Sequence, residues 1–482
     1  MFHFVANLKP YTIGPDAKAA RFDSYLLSVD YTSGLIALVD QVHKQHSILV
    51  ADNGNFDRMG ALVKPLLTQA ATLAKLREAE EDHLKHAARP GELSADLQKK
   101  YVALRAKVAD VAAEARKSDG VKKIVSAQNA LDPTYLIGME DFSIPLLTGL
   151  GIERAYASIP MSFFTQAARR AIAYAVKTAK GGFGPCDATV FAGLHAVDFD
   201  TAKKIGGLAG DAKLEGIATG FGMALDDRDF CDFRMENGKI VELGASIPRS
   251  YVRVIDVAAG LHLGYAHATG HRPKFHALGV GTPILQPLLA VLGDRGTYTS
   301  TDSTAPIKDA YSSVTIALYV DRPAPMKLKA YLIAEKWLDG GIPWDCKCPY
   351  CAGFLKQHPF KLNKAKAWWK SEGKRKLTPK DLWAPSPLAE VMPLLSMPKN
   401  PELRKQAGMS RIGHNHWILK RLETNIRRRT GVELRDWVDV LVDKYVYAGS
   451  GLAWKGATRA AWAVARTAAE ELKGAGGEFK PK

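Results

Sequence analysis

The chain has 482 residues, of which 47% are apolar and 24% charged, and its formal net charge is +16. These proportions are ordinary for a globular protein and exclude a largely disordered chain. No apolar run reaches the roughly 18–20 residues that span a bilayer, and the first residues, MFHFVANLKPYTIG, are too polar for a signal peptide. The sequence therefore predicts a cytoplasmic protein with no membrane contact.

Short apolar runs alternate with turns over the first 60 residues. HSILVADNGNF (46–56) is typical of a buried strand that ends in a polar loop. From 60 to 117 the periodicity becomes helical, with RPGE (89–92) as a break. These residues are predicted to form a helical hairpin inserted between strands.

A series of apolar runs that end in polar residues follows the hairpin. The runs are TYLIGMEDF, ATVFAGLHAVDF, EGIATGFGMAL, GKIVELGAS, KFHALGVGTP and TYTSTDST, with helical stretches between them. Strands alternating with helices indicate a parallel sheet, and their number favours a (β/α)8 TIM barrel over residues 1–335. Chemistry in such barrels lies at the C-terminal ends of the strands, where Asp52, Asp141, His195 and Asp302 fall.

Most of the positive charge lies in the segment that comes next. Residues 321–430 contain 23 Lys and Arg against 9 Asp and Glu, a net charge of +14. A localised excess of this kind is typical of a surface that binds a polyanion, and a solvated charged face is the alternative. Trp368 and Trp369 in this segment could stack on a displaced base or belong to its core. Residues 431–482 are predicted to form a helical tail.

Three of the five cysteines lie within WDCKCPYC (344–351). Cys346, Cys348 and Cys351 supply three soft ligands from one tight turn, and zinc in structural sites takes four Cys or His ligands. His358, His414 and His416 are candidates for the fourth. Five cysteines, an odd number with three in one cluster, do not make a disulfide framework, so a reduced compartment is predicted. Residues 336–430 are predicted to form a zinc-binding subdomain.

Several segments together resemble the tRNA-guanine transglycosylase superfamily over roughly residues 45–430, apart from the hairpin. They are ILVADNGNF (48–56), IGMEDFSIP (137–145), HALGVGTP (276–283) and CKCPYC (346–351), followed by a His-Asn pair at 414–415. Their order in the chain is the order in the family. The resemblance implies a (β/α)8 barrel with a C-terminal structural Zn²⁺ site and a base-exchange activity.

The resemblance also implies roles for individual residues. Asp302 falls at the position of the nucleophile and Asp52 at that of the general acid/base. The base would be bound by Asp141, His195, Phe56, Gly220 and Gly222, although ELGAS around Gly244 competes with GIATGFG for the glycine position. The implied zinc ligands are Cys346, Cys348, Cys351 and His414.

Each of these residues also has a plain structural interpretation. Asp52 and Asp302 could shape turns, and Asp141 could cap a helix. His195 stands where the family usually has glutamine, and it could be a packed structural histidine.

One departure from the family bears on the substrate. Members that act on tRNA follow the nucleophile with an arginine- and glycine-rich loop, whereas DSTAPIKDAYSS (302–313) has a single basic residue, Lys308. This pattern resembles the DNA-modifying branch, which exchanges guanine in DNA for a 7-deazaguanine precursor such as 7-cyano-7-deazaguanine. DNA is therefore favoured over tRNA as the partner, and partner proteins or a homodimer are compatible with the family. Base exchange in tRNA and a non-catalytic nucleic-acid-binding subunit are the alternatives.

Overall fold

A computed structural model describes most of the chain. The described residues are 1–13, 21–29, 35–54, 66, 68–73, 75–77, 79–80, 94–115, 118–141, 161–221, 230–236, 239–293, 296–312, 315–340, 344, 346–447 and 452–478. Among them, no helix combines the length and the apolar character that crossing a membrane requires.

The strands are numbered in chain order. They are β1 (Phe2–Asn7), β2 (Ser24–Ser28), β3 (Ile48–Asp52), β4 (Tyr135–Ile137), β5 (Thr189–Gly193), β6 (Gly216–Gly220), β7 (Phe230–Glu236), β8 (Lys239–Pro248), β9 (His271–Arg272), β10 (Lys274–Leu278), β11 (Thr299–Asp302), β12 (Ala317–Val320), β13 (Met326–Lys329) and β14 (Gly476–Glu478).

Eight of these strands close into a barrel in the order β1-β2-β3-β4-β5-β6-β10-β11. Every neighbouring pair is parallel, and the barrel closes where β1 pairs with β11, with Phe2 opposite Thr299. The predicted (β/α)8 TIM barrel is confirmed.

The segment GKIVELGAS does not join the barrel, which corrects its place in the predicted series of parallel strands. It lies in β8, which pairs antiparallel with β7, the strand just before it in the chain. Because the backbone of β8 finds its hydrogen-bond partners in this local hairpin, the run forms a side ribbon between β6 and the next helix.

The α-helices are numbered in the same way. They are α1 (Pro10–Ile13), α2 (Ile36–Lys44), α3 (Ala95–Ala115), α4 (Ser118–Asn129), α5 (Met161–Ala179), α6 (Phe199–Asp211), α7 (Arg249–Thr269), α8 (Leu285–Gly293), α9 (Ala305–Tyr311), α10 (Ala330–Leu338), α11 (Pro349–Gln357), α12 (Leu362–Ser371), α13 (Pro387–Val391), α14 (Pro401–Arg427), α15 (Gly431–Tyr447) and α16 (Leu452–Glu471).

The helices bury one face against the barrel. In α5 the buried residues include Phe164, Ala168, Ala171 and Ala175, which recur at the spacing of one helical face. Helices α6 and α7 approach unusually closely, because a Cβ on Gly264 would lie 1.8 Å from a backbone oxygen of α6. This close outer layer holds β5, β6 and β10 in place.

The connection between β3 and β4 carries the inserted helices. The described part of 66–80 is helical, and α3 and α4 follow it. Parts of the predicted hairpin, 60–65 and 81–93 among them, lie outside the described residues.

Helices α11 to α14 form a unit beside the barrel, which we call the metal lobe (346–427). Trp369 is buried in the core of this lobe and Trp368 is half-buried against it. Helix α14 connects the lobe to the barrel, since the Asn415 side chain accepts from the amide of Tyr319 at 2.9 Å and donates to the carbonyl of Pro306 at 3.0 Å.

Candidate active site and metal centre

The barrel interior is filled by side chains that alternate along each strand. The inward-facing residues of the central layers are Val5, Leu26, Val50, Ile137, Phe191, Ala218 and Tyr298. Two positions further along β2 and β3, the same alternation brings Ser28 and Asp52 to the C-terminal mouth, directly opposite one another in register.

Asp52 and Asp302 both lie at this mouth, at the ends of β3 and β11. Burial raises the pKa of Asp52 to about 7, and the negative charges of Asp302 and Glu140 contribute to the rise. Asp52 therefore lies close enough to the carboxylates of Asp302 and Glu140 for their charges to act on it.

Asp302 is held through a single carboxylate oxygen. The amide of Gly279, in the loop after β10, donates to its Oδ1 at 3.0 Å, and His276 Nε2 lies 3.5 Å from the same oxygen. Oδ2 has no hydrogen bond within the described residues.

Glu140 and His195 form a second pair at the mouth. Nε2 of His195 is hydrogen-bonded to Oε2 of Glu140. The His195 side chain is 17% exposed and the Glu140 side chain is 15% exposed. The opposite edge of the imidazole faces Gly220, where a Cβ would lie 3.4 Å from Cε1 and 4.0 Å from Nδ1. A side chain at position 220 would contact this edge of the ring, and glycine avoids that contact.

Asp141 has a different environment from its neighbour. It is buried, and its Oδ2 accepts from Nε of Arg170 on α5 at 2.6 Å. Glu140, not Asp141, is the carboxylate whose charge acts on Asp52. The structure thus brings Asp52, Asp302, His195 and Gly220 together, with Asp141 tied to the helix layer behind them.

Phe56 and Gly222 lie outside the described residues. Gly244 lies on β8 of the side hairpin, whereas Gly220 ends a barrel strand beside His195, so of the two glycine segments GIATGFG is the one that reaches the mouth.

Sequence reasoning missed three residues of the mouth and one polar residue just below it inside the barrel. Glu140 is adjacent to Asp141, and consecutive acids after a strand do not reveal which one faces inward. His276 is a polar residue inside the apolar strand KFHAL, a signal that could have been used. Asn7 and Ser28 end β1 and β2, and Nδ2 of the first and Oγ of the second are buried without a partner among the described residues.

Cys346, Cys348, Cys351 and His414 form the candidate metal centre. Their ligand atoms all lie within 4.8 Å of one another. Nδ1 of His414 is 3.3 Å from Sγ of Cys346 and 3.4 Å from Sγ of Cys348. Tetrahedral coordination with zinc bond lengths puts sulfur and nitrogen about 3.5 Å apart, so these two distances fit a group that could hold a metal ion.

A hydrogen bond on the far side of the His414 ring fixes which nitrogen is the ligand. Its Nε2 donates to the carbonyl of Tyr319 at 2.7 Å, which leaves the Nδ1 lone pair for a metal. His416 hydrogen-bonds the carbonyl of Ile412 within its own helix, and His358 pairs with Gln406. Of the three candidate histidines, only His414 belongs to the group.

The part of the metal lobe from 361 to 380 carries a set of exposed lysines, which we call the lysine face. It consists of exposed lysines that form no ion pair within the described part of the chain, namely Lys361, Lys364, Lys366, Lys370, Lys374, Lys376 and Lys380.

Comparison with models of protein families finds no match for this chain, and comparison with curated proteins finds none either.

Proposed function

We propose that this protein is a base-exchange transglycosylase that replaces guanine in DNA with a 7-deazaguanine such as 7-cyano-7-deazaguanine. The observation that carries the proposal is the pairing at the barrel mouth of Asp302 with Asp52, whose pKa of about 7 makes it a proton carrier at neutral pH. The resemblance to the tRNA-guanine transglycosylase superfamily supplies the reaction class, and the geometry is consistent with it.

In the first step Oδ2 of Asp302 attacks C1′ of the target nucleotide. The C1′–N9 bond breaks, its electron pair leaves with guanine, and neutral Asp52 delivers a proton to the departing base. A covalent ester between the sugar and Asp302 remains, and the phosphodiester strand stays intact.

In the second step Asp52, now ionised, takes a proton from the incoming base. That base attacks C1′, the bond from C1′ to Oδ2 breaks, and Asp302 leaves as a carboxylate. Two displacements at one carbon restore the original configuration, as in retaining glycosidases.

The base lies, in this proposal, against His195, Glu140 and Gly220. Nδ1 of His195 faces the glycine and meets a polar edge of the base, while the Glu140 carboxylate fixes the imidazole from the other side. Asp141, paired with Arg170, supports this wall, and Phe56 and Gly222 retain the base-binding roles that the resemblance implies.

The metal is proposed to be zinc with a structural role. Three thiolates and one imidazole match its ligand preference, and four protein ligands leave no position for substrate. A site of this kind needs reduced cysteines, which fits a cytoplasmic location.

DNA is proposed as the polymer because of the lysine face. Its seven lysines, unpaired within the described residues, offer sequence-independent contacts to phosphates, and such contacts can offset the few kcal/mol that flipping a base out of the duplex costs. The arginine-rich loop of tRNA-acting members has no counterpart in the sequence after Asp302.

The test is incubation of the purified protein with radiolabelled 7-cyano-7-deazaguanine and either duplex DNA or tRNA. We expect label in DNA that survives denaturing electrophoresis. Label confined to tRNA would show that the substrate is tRNA and not DNA, and the proposed reaction would stand. Label in neither polymer would overturn the proposed activity.

A further inference from the structure

His276 lies in the middle of β10 with its side chain completely buried inside the barrel. Its Nδ1 is 2.7 Å from Oγ of Ser300, the residue in register with it on β11. Its Nε2 lies 3.5 Å from Oδ1 of Asp302 and has no hydrogen bond to any other described residue. A buried imidazole is thus held on one side by a serine and directed at the carboxylate on the other.

The neighbours of the ring decide where its proton lies. A carboxylate oxygen facing Nε2 favours a proton there. The hydroxyl of Ser300, which also lies 3.4 Å from the carbonyl oxygen of Phe275, then donates to the nearer Nδ1 at 2.7 Å. His276 is then a donor aimed at Oδ1, the oxygen that already accepts from Gly279. A distance of 3.5 Å is long for a hydrogen bond, as is common for catalytic groups before substrate is bound.

The support for His276 continues below it through the barrel. Tyr298, two residues before Ser300, interacts with both Ser300 and Ser24. Ser24 in turn hydrogen-bonds His3 at 3.0 Å. Buried polar side chains therefore continue below the imidazole toward the other end of the barrel.

We propose that His276 is a positioning residue for the nucleophile Asp302. It donates to Oδ1 and so turns Oδ2 toward the mouth, where C1′ must lie. This inference rests on the proposed transglycosylase function and adds a residue to its machinery.

The role applies to both displacements. In the first, a carboxylate fixed at Oδ1 reaches C1′ in one orientation instead of many. In the second, the C1′–Oδ2 bond breaks and negative charge returns to the carboxylate, where the N–H of His276 stabilises it. Loss of the imidazole should therefore lower kcat and leave the binding of DNA and base unchanged.

The experiment compares steady-state kinetics of base exchange in DNA for His276→Phe, His276→Gln and the wild type. We expect kcat to fall about 100-fold in His276→Phe with KM for both substrates within about twofold, since misplacing a reacting group costs on the order of 10². His276→Gln, whose amide can donate from a similar position, should recover kcat to within about tenfold of the wild type. Ser300→Ala keeps the ring and loosens it, and is expected to lower kcat by about fivefold.

The matched control is His262→Phe. His262 is also fully buried and packs on Phe275 of the same strand, with a centroid distance of 4.7 Å, but it lies on α7 outside the barrel. Its replacement should change thermal stability and leave kcat within about threefold of the wild type.

The outcomes separate this inference from the proposed function. If the wild type exchanges base and His276→Phe loses no more kcat than His262→Phe, the positioning role is wrong and the function stands. A loss expressed in KM alone would also overturn it, as would a His276→Gln variant no better than His276→Phe while both remain folded. A wild type without exchange activity would overturn the function, and this inference with it.

Discussion

The barrel mouth and the metal lobe handle charged groups in opposite ways. At the mouth, the carboxyl groups of Asp52, Asp302 and Glu140 lie close together, and burial and the two neighbouring charges raise the pKa of Asp52 to about 7. In the lobe, the four candidate ligand atoms lie within 4.8 Å of one another, and Nε2 of His414 donates to a carbonyl. Groups held in an unfavourable state can react, whereas groups whose bonding is complete can only support the fold.

The largest effect should come from the mouth. Asp302→Asn removes the nucleophile while keeping its size, and we expect base exchange to fall by at least about 10³-fold. Mass spectrometry of the wild type with DNA and base should reveal a covalent nucleic-acid adduct that this variant lacks. An Asp302→Asn protein with near-normal turnover would show that the barrel mouth does not supply the nucleophile.

The metal lobe provides the next test. His414→Ala should lower bound metal from one equivalent to a small fraction and weaken DNA binding at least about tenfold, because the lobe loses the ion that joins its segments. His416→Ala removes another buried histidine of α14 and should keep one equivalent. Metal analysis of both purified variants measures this. Full metal content in His414→Ala would contradict the ligand set.

The titration of Asp52 should make the free energy of unfolding depend on pH. Its folded pKa of about 7 lies above the unfolded value of 3.8, so the native state holds a proton that the unfolded chain releases. The resulting stabilisation is fully present below pH 3.8 and is lost as the pH rises through about 7. Asp52→Asn should therefore raise the free energy of unfolding at pH 8 on the order of 2 kcal/mol and abolish exchange.

The control for Asp52 is Asp256→Asn. Burial and the nearby charge of Asp198 raise the pKa of Asp256 to about 7 as well, but this residue lies on α7. The Asp256→Asn variant should show a comparable rise in the free energy of unfolding at pH 8, measured by urea titration, and should keep its exchange activity. Equal activity in both variants would remove Asp52 from the reaction.

Replacing Glu140 should have a smaller effect, on the pH dependence of kcat. Its charge raises the pKa of Asp52, so Glu140→Gln should lower that pKa and move the alkaline fall of the kcat profile to lower pH. Glu215→Gln, which removes a carboxylate bound to Lys274 at 2.8 Å, should leave the profile in place. An unmoved profile in Glu140→Gln would mean that Asp52 does not sense this neighbour.

The smallest effect should come from the lysine face. Replacing Lys364, Lys366 and Lys370 by glutamine should weaken DNA binding severalfold and reduce the dependence of log K on log salt by about 0.9 for each phosphate that is no longer neutralised. The matched triple of exposed lysines, Lys99, Lys122 and Lys123, lies on the inserted helices and should change neither quantity. Equal responses would mean that only total charge matters.

The barrel was predictable because most barrel strands are short apolar runs between helical segments, a pattern that can be recognised without knowledge of tertiary packing. GKIVELGAS has the same pattern, and only its pairing with the preceding strand excludes it from the barrel. Local patterns cannot distinguish a local hairpin from a distant parallel neighbour.

The site was predictable where spacing or position carries the signal. Three cysteines within six residues indicate a metal, but the choice among three histidines depended on the rotation of α14 and on the carbonyl of Tyr319. At the mouth the ends of the strands identified the aspartates. The orientation of Glu140 and the approach of His276 to Asp302 depend on side-chain directions across neighbouring strands, which a linear sequence does not contain.

The pairing of β1 with β11 has a consequence for how the chain folds. Phe2 meets its partner strand at Thr299, so the first strand cannot complete its hydrogen bonds until nearly 300 residues have been synthesised. Such a distant pairing makes folding slow, and the exposed edge of the half-built barrel is open to wrong partners in the meantime. Helix α14, which packs on β1 from still further along the chain, can reach it only afterwards. A chaperone that shields β1 during synthesis should therefore raise the yield of folded protein.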